Sequence, residues 1–73
     1  MTVNRPFDFL NESIGKEVLV ELKDKFAIRG TLKAFDVHMN IVLENAEQLE
    51  DNKPTKKFGK LILRGDNVVL ISP

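Results

Sequence analysis

The chain has 73 residues, enough for one domain, and it contains no cysteine. A domain of this length buries only about 60% of the surface that its unfolded chain exposes, and it has neither disulfides nor Cys/His zinc spacing, so we expect association with further copies to supply stability. The 11 basic and 11 acidic residues cancel, which excludes an overall positive field for non-specific nucleic-acid binding; any such binding must be local.

No segment predicts export or membrane insertion. Residues 1–14 have neither the basic start nor the apolar run of a secretory signal. No stretch approaches the roughly 20 apolar residues that a membrane helix needs. We therefore expect a cytoplasmic protein without a membrane anchor.

The N-terminal segment predicts a short amphipathic helix over residues 4–14. Asn4 can cap this helix, Pro6 suits its first turn, and Gly15 stops it. Apolar side chains recur at three- and four-residue spacing along one face: Phe7, Leu10 and Ile14.

From residue 16 onwards the apolar residues alternate with polar ones, which predicts β-strands. The predicted strands cover 16–22, 26–34, 41–49, 58–63 and 67–72. Gly30 predicts a bend or a close backbone approach in the second strand, whose inward face carries Phe26 and Ala34 at its ends. Pro54 marks a polar loop over residues 50–55. Such strands favour a small closed or half-open antiparallel barrel over a flat sheet.

The last two strands are apolar on both faces, which the surface strand of a small barrel does not need. Residues 61–63 read Leu-Ile-Leu and residues 68–71 read Val-Val-Leu-Ile. Either these runs fill a single core, or the fourth strand of one chain pairs with the fifth strand of the next and closes a ring. The pattern alone leaves both interpretations open.

Charges segregate in the second half of the chain. Four acidic residues precede five basic ones: Glu44, Glu47, Glu50 and Asp51, then Lys53, Lys56, Lys57, Lys60 and Arg64. Antiparallel pairing of these segments would partly neutralise the charges across the strands. The pattern is typical of a solvated face, and we assign it no chemistry.

The stretch DVHMN, residues 36–40, contains the only histidine. Asp36, His38 and Asn40 alternate, so in an extended segment their side chains would project to one side. Alternatively the stretch is a plain connection in which the aspartate and the asparagine bond nearby backbone. Catalysis and metal binding are disfavoured, because His38 has no cysteine to activate and one histidine makes a poor metal site.

The stretch LRGDN, residues 63–67, predicts a tight strand connection in which Gly65, Asp66 and Asn67 tolerate left-handed backbone. That interpretation does not account for Arg64, a planar cation that can stack on a base. His38 and Arg64 could sandwich a base whose edge an asparagine reads, if the two turns meet in space. This is a single-stranded RNA site in outline.

These residues resemble the Sm and Sm-like family of RNA-binding proteins. The resemblance rests on the following segments: Gly15 to Val18, Gly30, FDVHMNIVL at 35–43 and LRGDNVVLISP at 63–73. It implies one domain with these parts: the whole domain at 1–73, the N-terminal helix at 4–14, the first Sm motif at 16–49 and the second at 57–73. The chain length and His38 are most similar to archaeal members, and Leu70 stands where a tyrosine is common.

The resemblance implies both a fold and a function. The fold is an N-terminal helix on a strongly bent, five-stranded antiparallel barrel of the SH3-like type. Its subunits join fourth strand to fifth strand in a homo-oligomeric ring, usually of seven. The function is the binding of U-rich single-stranded RNA in the pore, as a chaperone or scaffold in RNA processing, with no catalysis and no cofactor.

By the same resemblance, six residues form the RNA site: Asp36, His38, Asn40, Arg64, Gly65 and Asp66. His38 and Arg64 stack on the two faces of uracil, and Asn40 hydrogen-bonds its edge. The two aspartates orient Asn40 and the turns, with Asp66 also close to the base. Gly65 lets the backbone approach the nucleotide.

Two interpretations from another class stand beside this one: a protein-interaction module built on a small SH3-like barrel, and a ring that serves as a hub for proteins. The first is weakened by the absence of Trp and Tyr, since grooves for proline-rich peptides are aromatic-lined. A five-stranded oligonucleotide-binding barrel is a further alternative for the fold. Arg5 and the helix face form either a second, outer RNA contact or only a solvated surface.

Overall fold

The computed structural model describes residues 6–73, which form one helix and six strand segments. These elements are α1 (Pro6–Glu12), β1 (Glu17–Leu22), β2 (Ala27–Phe35), β3 (Ile41–Glu50), β4 (Lys53–Lys57), β5 (Lys60–Leu63) and β6 (Val68–Ser72). No helix in this part of the chain is long and apolar enough to cross a membrane. Asn4 and Arg5, the predicted cap and the candidate outer RNA contact, lie outside the described residues.

Helix α1 contributes one apolar side chain to the core and ends two residues earlier than predicted. Leu10 is buried, whereas Phe7 and Ile14 are 40% and 44% exposed, so the predicted apolar stripe is not buried as a unit. Phe7 packs instead against Phe35 of β2, with the ring centroids 5.4 Å apart. The helix therefore lies on the sheet through one core residue and one aromatic pair.

The core lies inside a curved antiparallel meander of β1, β2 and β3. Its register places Val20 opposite Ile28 and Leu32 opposite Leu43, and all four side chains are 3% exposed or less. The other buried apolar side chains are Leu10, Val18, Ile41, Ala46 and Leu49. Period-two alternation is confirmed for β1, for β2 as far as Leu32 and for the start of β3; beyond Asn45 the buried residues of β3 are Ala46 and Leu49.

The strong bend of β2 follows from irregular pairing with β3. The register shifts between Arg29 and Thr31, and again between Leu32 and Ala34. A β-carbon added at Gly30 would lie 3.0 Å from a backbone oxygen of β3, which confirms the predicted close approach. The second shift turns Ala34 outward, and Phe26 precedes β2; both are exposed, so their predicted inward placement is wrong.

The loop predicted over residues 50–55 is shorter than the sequence indicated. The chain reverses at Asp51 and Asn52, both at positive φ (52° and 65°), and β4 already begins at Lys53. Two successive residues with left-handed backbone match the twist of a tight antiparallel hairpin, and asparagine and aspartate tolerate that backbone conformation well. Pro54 therefore lies within a strand, and because β4 is an edge strand its missing N–H costs no ladder bond.

Strands β4 and β5 are two halves of one bent strand, because both pair with β3. Between them the Phe58 N–H donates to the Ala46 carbonyl at 2.7 Å, and the Ala46 N–H donates to the Gly59 carbonyl at 3.4 Å. Asn45, opposite the break, has a positive φ of 52°. The sheet therefore has five strands, as predicted, with the fourth interrupted at a bulge.

Both edges of the sheet are open. The strand order is β4-β3-β2-β1-β6, with β5 also on β3, and within residues 6–73 no ladder joins β5 to β6. These two strands carry exposed apolar side chains: Ile62 at 70%, Val69 at 61% and Leu70 at 42%. Exposed apolar residues on unpaired edges mark an association surface. This half-open barrel favours the ring interpretation over the single core.

The end of the helical segment gives a prediction about backbone strain. Gly15 has a φ of +87°, and an added β-carbon would meet nothing within 4 Å. Gly15→Ala should therefore lower the free energy of unfolding by about 1–2 kcal/mol through the backbone alone. Urea unfolding at one fixed protein concentration measures this change.

Gly59→Ala is the matched control. An added β-carbon there also meets nothing within 4 Å, and Gly59 lacks a positive φ. This substitution should be neutral or should stabilise the fold by up to about 1 kcal/mol. An equal loss of stability in both variants would show that the backbone conformation of Gly15 is not the cause.

Candidate functional site

Residues 36–40 form a tight turn between β2 and β3. The Met39 N–H donates to the Asp36 carbonyl at 3.0 Å, and the Asp36 N–H donates to the Asn40 carbonyl at 3.2 Å. Met39 occupies the left-handed region, with a φ of 63°. Of the two interpretations that the sequence left open, the extended segment is therefore wrong and the connection is confirmed, and the turn itself groups the polar residues.

The Asp36 carboxylate organises this turn. Its Oδ1 accepts the backbone N–H groups of His38 and Asn40 at 2.9 and 3.1 Å, and its Oδ2 accepts the Asn40 side-chain amide at 3.0 Å. The Asn40 side-chain amide, followed by the Asn40 backbone N–H, holds the pKa of Asp36 below its ordinary value of 3.8, against slight desolvation. Asp36 is therefore an anion at neutral pH.

The second turn, between β5 and β6, is a single 3-10 turn over Gly65–Asn67. The Asn67 N–H donates to the Arg64 carbonyl at 3.0 Å. The predicted tight connection is confirmed, but positive φ does not occur at Gly65, Asp66 or Asn67, so the left-handed backbone that these residues tolerate is not used. The three residues complete one short helical turn instead.

The two turns meet because β3 pairs with β5. The register sets Ile41 opposite Leu63, which places the residues just outside the ladder, Asn40 and Arg64, beside each other. The Gly65 N–H donates to Asn40 Oδ1 at 2.9 Å across 25 residues of chain. A β-carbon on Gly65 would overlap the His38 carbonyl oxygen, so only glycine permits this approach.

Five of the six predicted site residues line one open depression: His38, Asn40, Arg64, Gly65 and Asp66. Asp36 lies behind them and is bonded to Asn40. The Arg64 guanidinium pairs with the Asp66 carboxylate at 3.0 Å, and their side chains are 82% and 65% exposed. An ion pair this exposed is weak, so the guanidinium can move onto a ligand.

The side chain of Asn40 is fixed at both ends. Asp36 offers only acceptors and the Gly65 N–H only a donor, so the amide nitrogen must face the carboxylate and the amide oxygen must face the glycine. Each end keeps one unused position, an N–H and an oxygen lone pair. Asn40 therefore presents a donor beside an acceptor in a set orientation.

The polar residues Lys23, Asp24 and Lys25 predict a turn, which the structure confirms, but sequence reasoning missed that this third turn lies beside the site. The Lys23 N–H donates to the Asn67 carbonyl at 2.9 Å. Asp24 lines a second depression, on the other flank of Arg64 and Asp66. The strand pairing of β1 with β6 causes this proximity, and no local spacing in the sequence indicates it.

Two other features bear on what the site can hold. No group of three His, Cys, Asp or Glu side chains in residues 6–73 is arranged to bind a metal ion. A groove of about 430 Å³ runs between α1 and β6, and its lining is mostly apolar, including Phe9, Leu10 and Val69. The mostly apolar lining of this groove differs from the polar lining of the depression at the two turns.

Known proteins share this sequence and fold. The LSM domain model matches residues 8–73. An snRNP Sm-like protein of Pyrococcus furiosus is 52% identical over 69 residues, covering 94% of this chain and 91% of that protein. An Sm protein of Pyrococcus abyssi in complex with a uridine heptamer superposes with a TM-score of 0.93 at 47% identity, covering 96% of this chain and 99% of that one.

A heptameric archaeal Sm protein superposes with a TM-score of 0.83 at 49% identity, covering 89% of this chain and 94% of that one. A helix on a bent, half-open antiparallel barrel with two adjoining polar turns defines the Sm type of small barrel. The chain belongs to the LSM family of Sm-like proteins.

The lowered pKa of Asp36 predicts how the site responds to acid. A depressed pKa means that the contribution of Asp36 to folding is complete above its ordinary pKa of 3.8 and is lost as the pH falls through the lowered value. The acid transition of the Asn40 side-chain amide resonances in ¹H–¹⁵N spectra should therefore have its midpoint below pH 3.8.

Asp36→Asn is the control for this titration. An asparagine at position 36 cannot ionise, so the acid transition of the Asn40 amide should be absent from this variant. A transition centred above pH 3.8 in the unaltered protein would contradict the hydrogen-bonded carboxylate as its cause.

Proposed function

We propose that this chain binds U-rich single-stranded RNA in the pore of a homo-oligomeric ring, one uracil per subunit. The observation that carries the proposal is the joining of the two turns, which puts His38, Asn40 and Arg64 in one depression. The Pyrococcus abyssi relative in complex with a uridine heptamer supports the choice of ligand.

Asn40 would read the edge of the base. Its free N–H can donate to a uracil carbonyl while its oxygen accepts the uracil N3–H. Cytosine presents an acceptor at N3, which would face the amide oxygen and leave both groups without a hydrogen. Because Asp36 and Gly65 hold the amide at both ends, it cannot rotate to suit a cytosine stacked in the same position. The preference for uracil therefore requires that His38 and Arg64 hold the base in that position.

His38 and Arg64 would provide affinity without reading the base. Both carry flat groups beside the same depression, and stacking on such groups contributes about 1–3 kcal/mol per base. Asp66 holds the guanidinium near the depression through the 3.0 Å ion pair. Arg64 also brings a positive charge for the phosphates.

The ring would combine several weak binding sites into one site of high overall affinity. The open edges of β5 and β6, with their exposed apolar residues, fit a heterologous contact that closes on itself. The heptameric archaeal relative supports a ring of seven. Uracils on one strand then bind at high effective concentration. In this mechanism the protein acts as an RNA chaperone or scaffold and performs no chemical step.

Native mass spectrometry with oligouridine, and oligocytidine as the control RNA, tests the proposal. The unaltered protein should form a ring that takes up oligouridine selectively. Asn40→Ala should flatten the preference for uridine, because alanine cannot hydrogen-bond the edge of the base. Arg64→Ala should lower the affinity for both RNAs by roughly tenfold or more, because stacking does not depend on which base is bound.

Equal uptake of the two RNAs by the unaltered protein would overturn the account of Asn40. A ring that takes up neither RNA would favour the alternative of a protein-interaction hub. Gly59→Ala, whose added β-carbon meets no atom within 4 Å, serves as the control variant and should bind like the unaltered protein.

The ring contact makes its own prediction. Ile62→Asp places a charge on the open β5 edge, where Ile62 is 70% exposed, and should convert the ring to monomers because burying an unpaired carboxylate is costly. Val37→Asp is the matched control, since Val37 is 72% exposed but lies in a turn. Sedimentation velocity should show monomers for the first variant only; rings in both would place the contact elsewhere.

A further inference from the structure

Strand β4 presents a basic surface that the proposed uracil site does not use. Its sequence is Lys-Pro-Thr-Lys-Lys, and all five residues are exposed. The chain as a whole has no net charge, so this concentration of lysines is local. An exposed strand with this local positive charge would attract an anionic ligand.

The acidic residues opposite these lysines do not neutralise them. The register sets Lys57 across from Glu47, but the Glu47 carboxylate binds Arg29 at 3.0 Å. Glu44 is shared by Lys33 at 3.6 Å and Lys60 at 3.3 Å.

Among residues 6–73, no carboxylate lies within 4.0 Å of the ammonium group of any of the three lysines of β4. These lysines, Lys53, Lys56 and Lys57, are called the β4 lysines below. The partial neutralisation predicted from the sequence is a close ion pair at Lys60. At β4 the acidic residues Glu47 and Glu50 lie opposite Lys57 and Lys53 as predicted, but neither glutamate forms an ion pair with its lysine. Glu47 binds Arg29 of β2 instead, and Glu50 forms no ion pair in residues 6–73.

An aromatic ring accompanies the β4 lysines. The Lys56 ammonium lies 5.3 Å from the centroid of the Phe58 ring, and Phe58 is half-buried where β4 bends into β5. This contact holds Lys56 over the strand while its charge remains exposed. Basic residues beside an aromatic ring form a surface suited to a nucleic-acid backbone.

We propose that the β4 lysines bind phosphates of the RNA segment that leaves the uracil site. The inference rests on the proposed function, since an anchored uracil tract is what brings that segment to β4. Glu47 and Glu50, which lie opposite Lys57 and Lys53, follow Ile41 along β3 at a contour length of about 20 Å and about 30 Å, at about 3.3 Å per residue. A base in the depression cannot reach β4, but a strand continuing from it can.

The chemistry of the strand favours a phosphate backbone over a peptide. Lysine provides point charges that attract phosphate without reading a base. A peptide that extended the sheet would need free N–H groups along the edge, and Pro54 has none while the lysines crowd it. The surface therefore suits a charged polymer that makes no ladder bonds.

A competing role for the same lysines is protection of the open edge against aggregation. The two roles predict different results. Edge protection requires only that the charges be there and makes no demand on RNA length. Phosphate binding requires that affinity depend on RNA beyond the uracil tract and on salt.

The test compares three RNAs: seven uridines alone, and seven uridines with about 15 cytidines at the 5′ or at the 3′ end, a tail long enough to cover 30 Å at about 3.4 Å per stacked nucleotide. Cytidines are used so that the tail adds phosphates with little demand on Asn40. Fluorescence anisotropy over a range of salt concentrations gives each affinity and its salt dependence.

The unaltered protein should bind one of the tailed RNAs at least about threefold more tightly than seven uridines at low salt, with a steeper salt dependence. Lys53→Gln, Lys56→Gln and Lys57→Gln combined should abolish that gain and reduce the salt slope by about 0.7 for each phosphate that a lysine no longer neutralises. Binding of seven uridines alone should stay within about twofold, since neutral glutamines change only distant charges.

Two controls separate charge and position from folding. The combined Lys→Arg variant at the same three positions keeps the charge and should keep the gain from the tail. Lys56→Gln alone should reduce the gain, whereas Lys16→Gln, an exposed lysine preceding β1, should not. Native masses of all variants show whether the ring is intact.

The possible outcomes distinguish phosphate binding, edge protection and failure of the uracil site. A gain from the tail that survives in the combined glutamine variant, or no gain in the unaltered protein, overturns the inference and leaves the uracil site standing. Aggregation of the glutamine variant with unchanged RNA affinity assigns the lysines to edge protection. If seven uridines do not bind the unaltered protein, the proposed function fails, and with it an inference that needs an anchored tract.

Discussion

The bridge made by Asn40 is the interaction on which the rest of the site depends. One amide joins the Asp36 carboxylate of the first turn to the Gly65 N–H of the second. Because one partner only accepts and the other only donates, the orientation of the amide follows from hydrogen-bond chemistry. The bare α-carbon of Gly65 permits this approach, since a side chain there would overlap the His38 carbonyl. The same bond that ties the two motifs together therefore fixes the face that a base would meet.

Incomplete closure of the barrel connects this site to assembly. The bulges of β2 curve the sheet strongly, yet β5 and β6 remain unpaired with each other in the described residues. Apolar side chains such as Ile62 and Val69 are left in solvent at those edges. A second copy can cover them, and a closed ring leaves no open edge. A small core and a repeated binding site are thus two consequences of one half-open fold.

Charge is distributed by the same sheet geometry. The chain is neutral overall, but β3 lies between the cations of β2 and those of β4. Glu44 and Glu47 of β3 bind Arg29, Lys33 and Lys60, and within residues 6–73 the lysines of β4 form no ion pair. A neutral protein can therefore meet an RNA backbone at chosen places without the non-specific attraction that a large net charge would cause.

The sequence by itself determined the strand count, the core alternation of β1 and of the first parts of β2 and β3, the close approach at Gly30 and the spare apolar faces of the last two strands, because these follow from local pattern. It left residues 36–40 open between an extended segment and a connection, and it predicted a tight connection at residues 63–67. The structure shows a turn at both places and no left-handed backbone at residues 65–67. Only the tertiary structure decided that the turns meet. Spacing along a chain does not encode which strands pair, and the pairing of Ile41 with Leu63 brings together groups 25 residues apart.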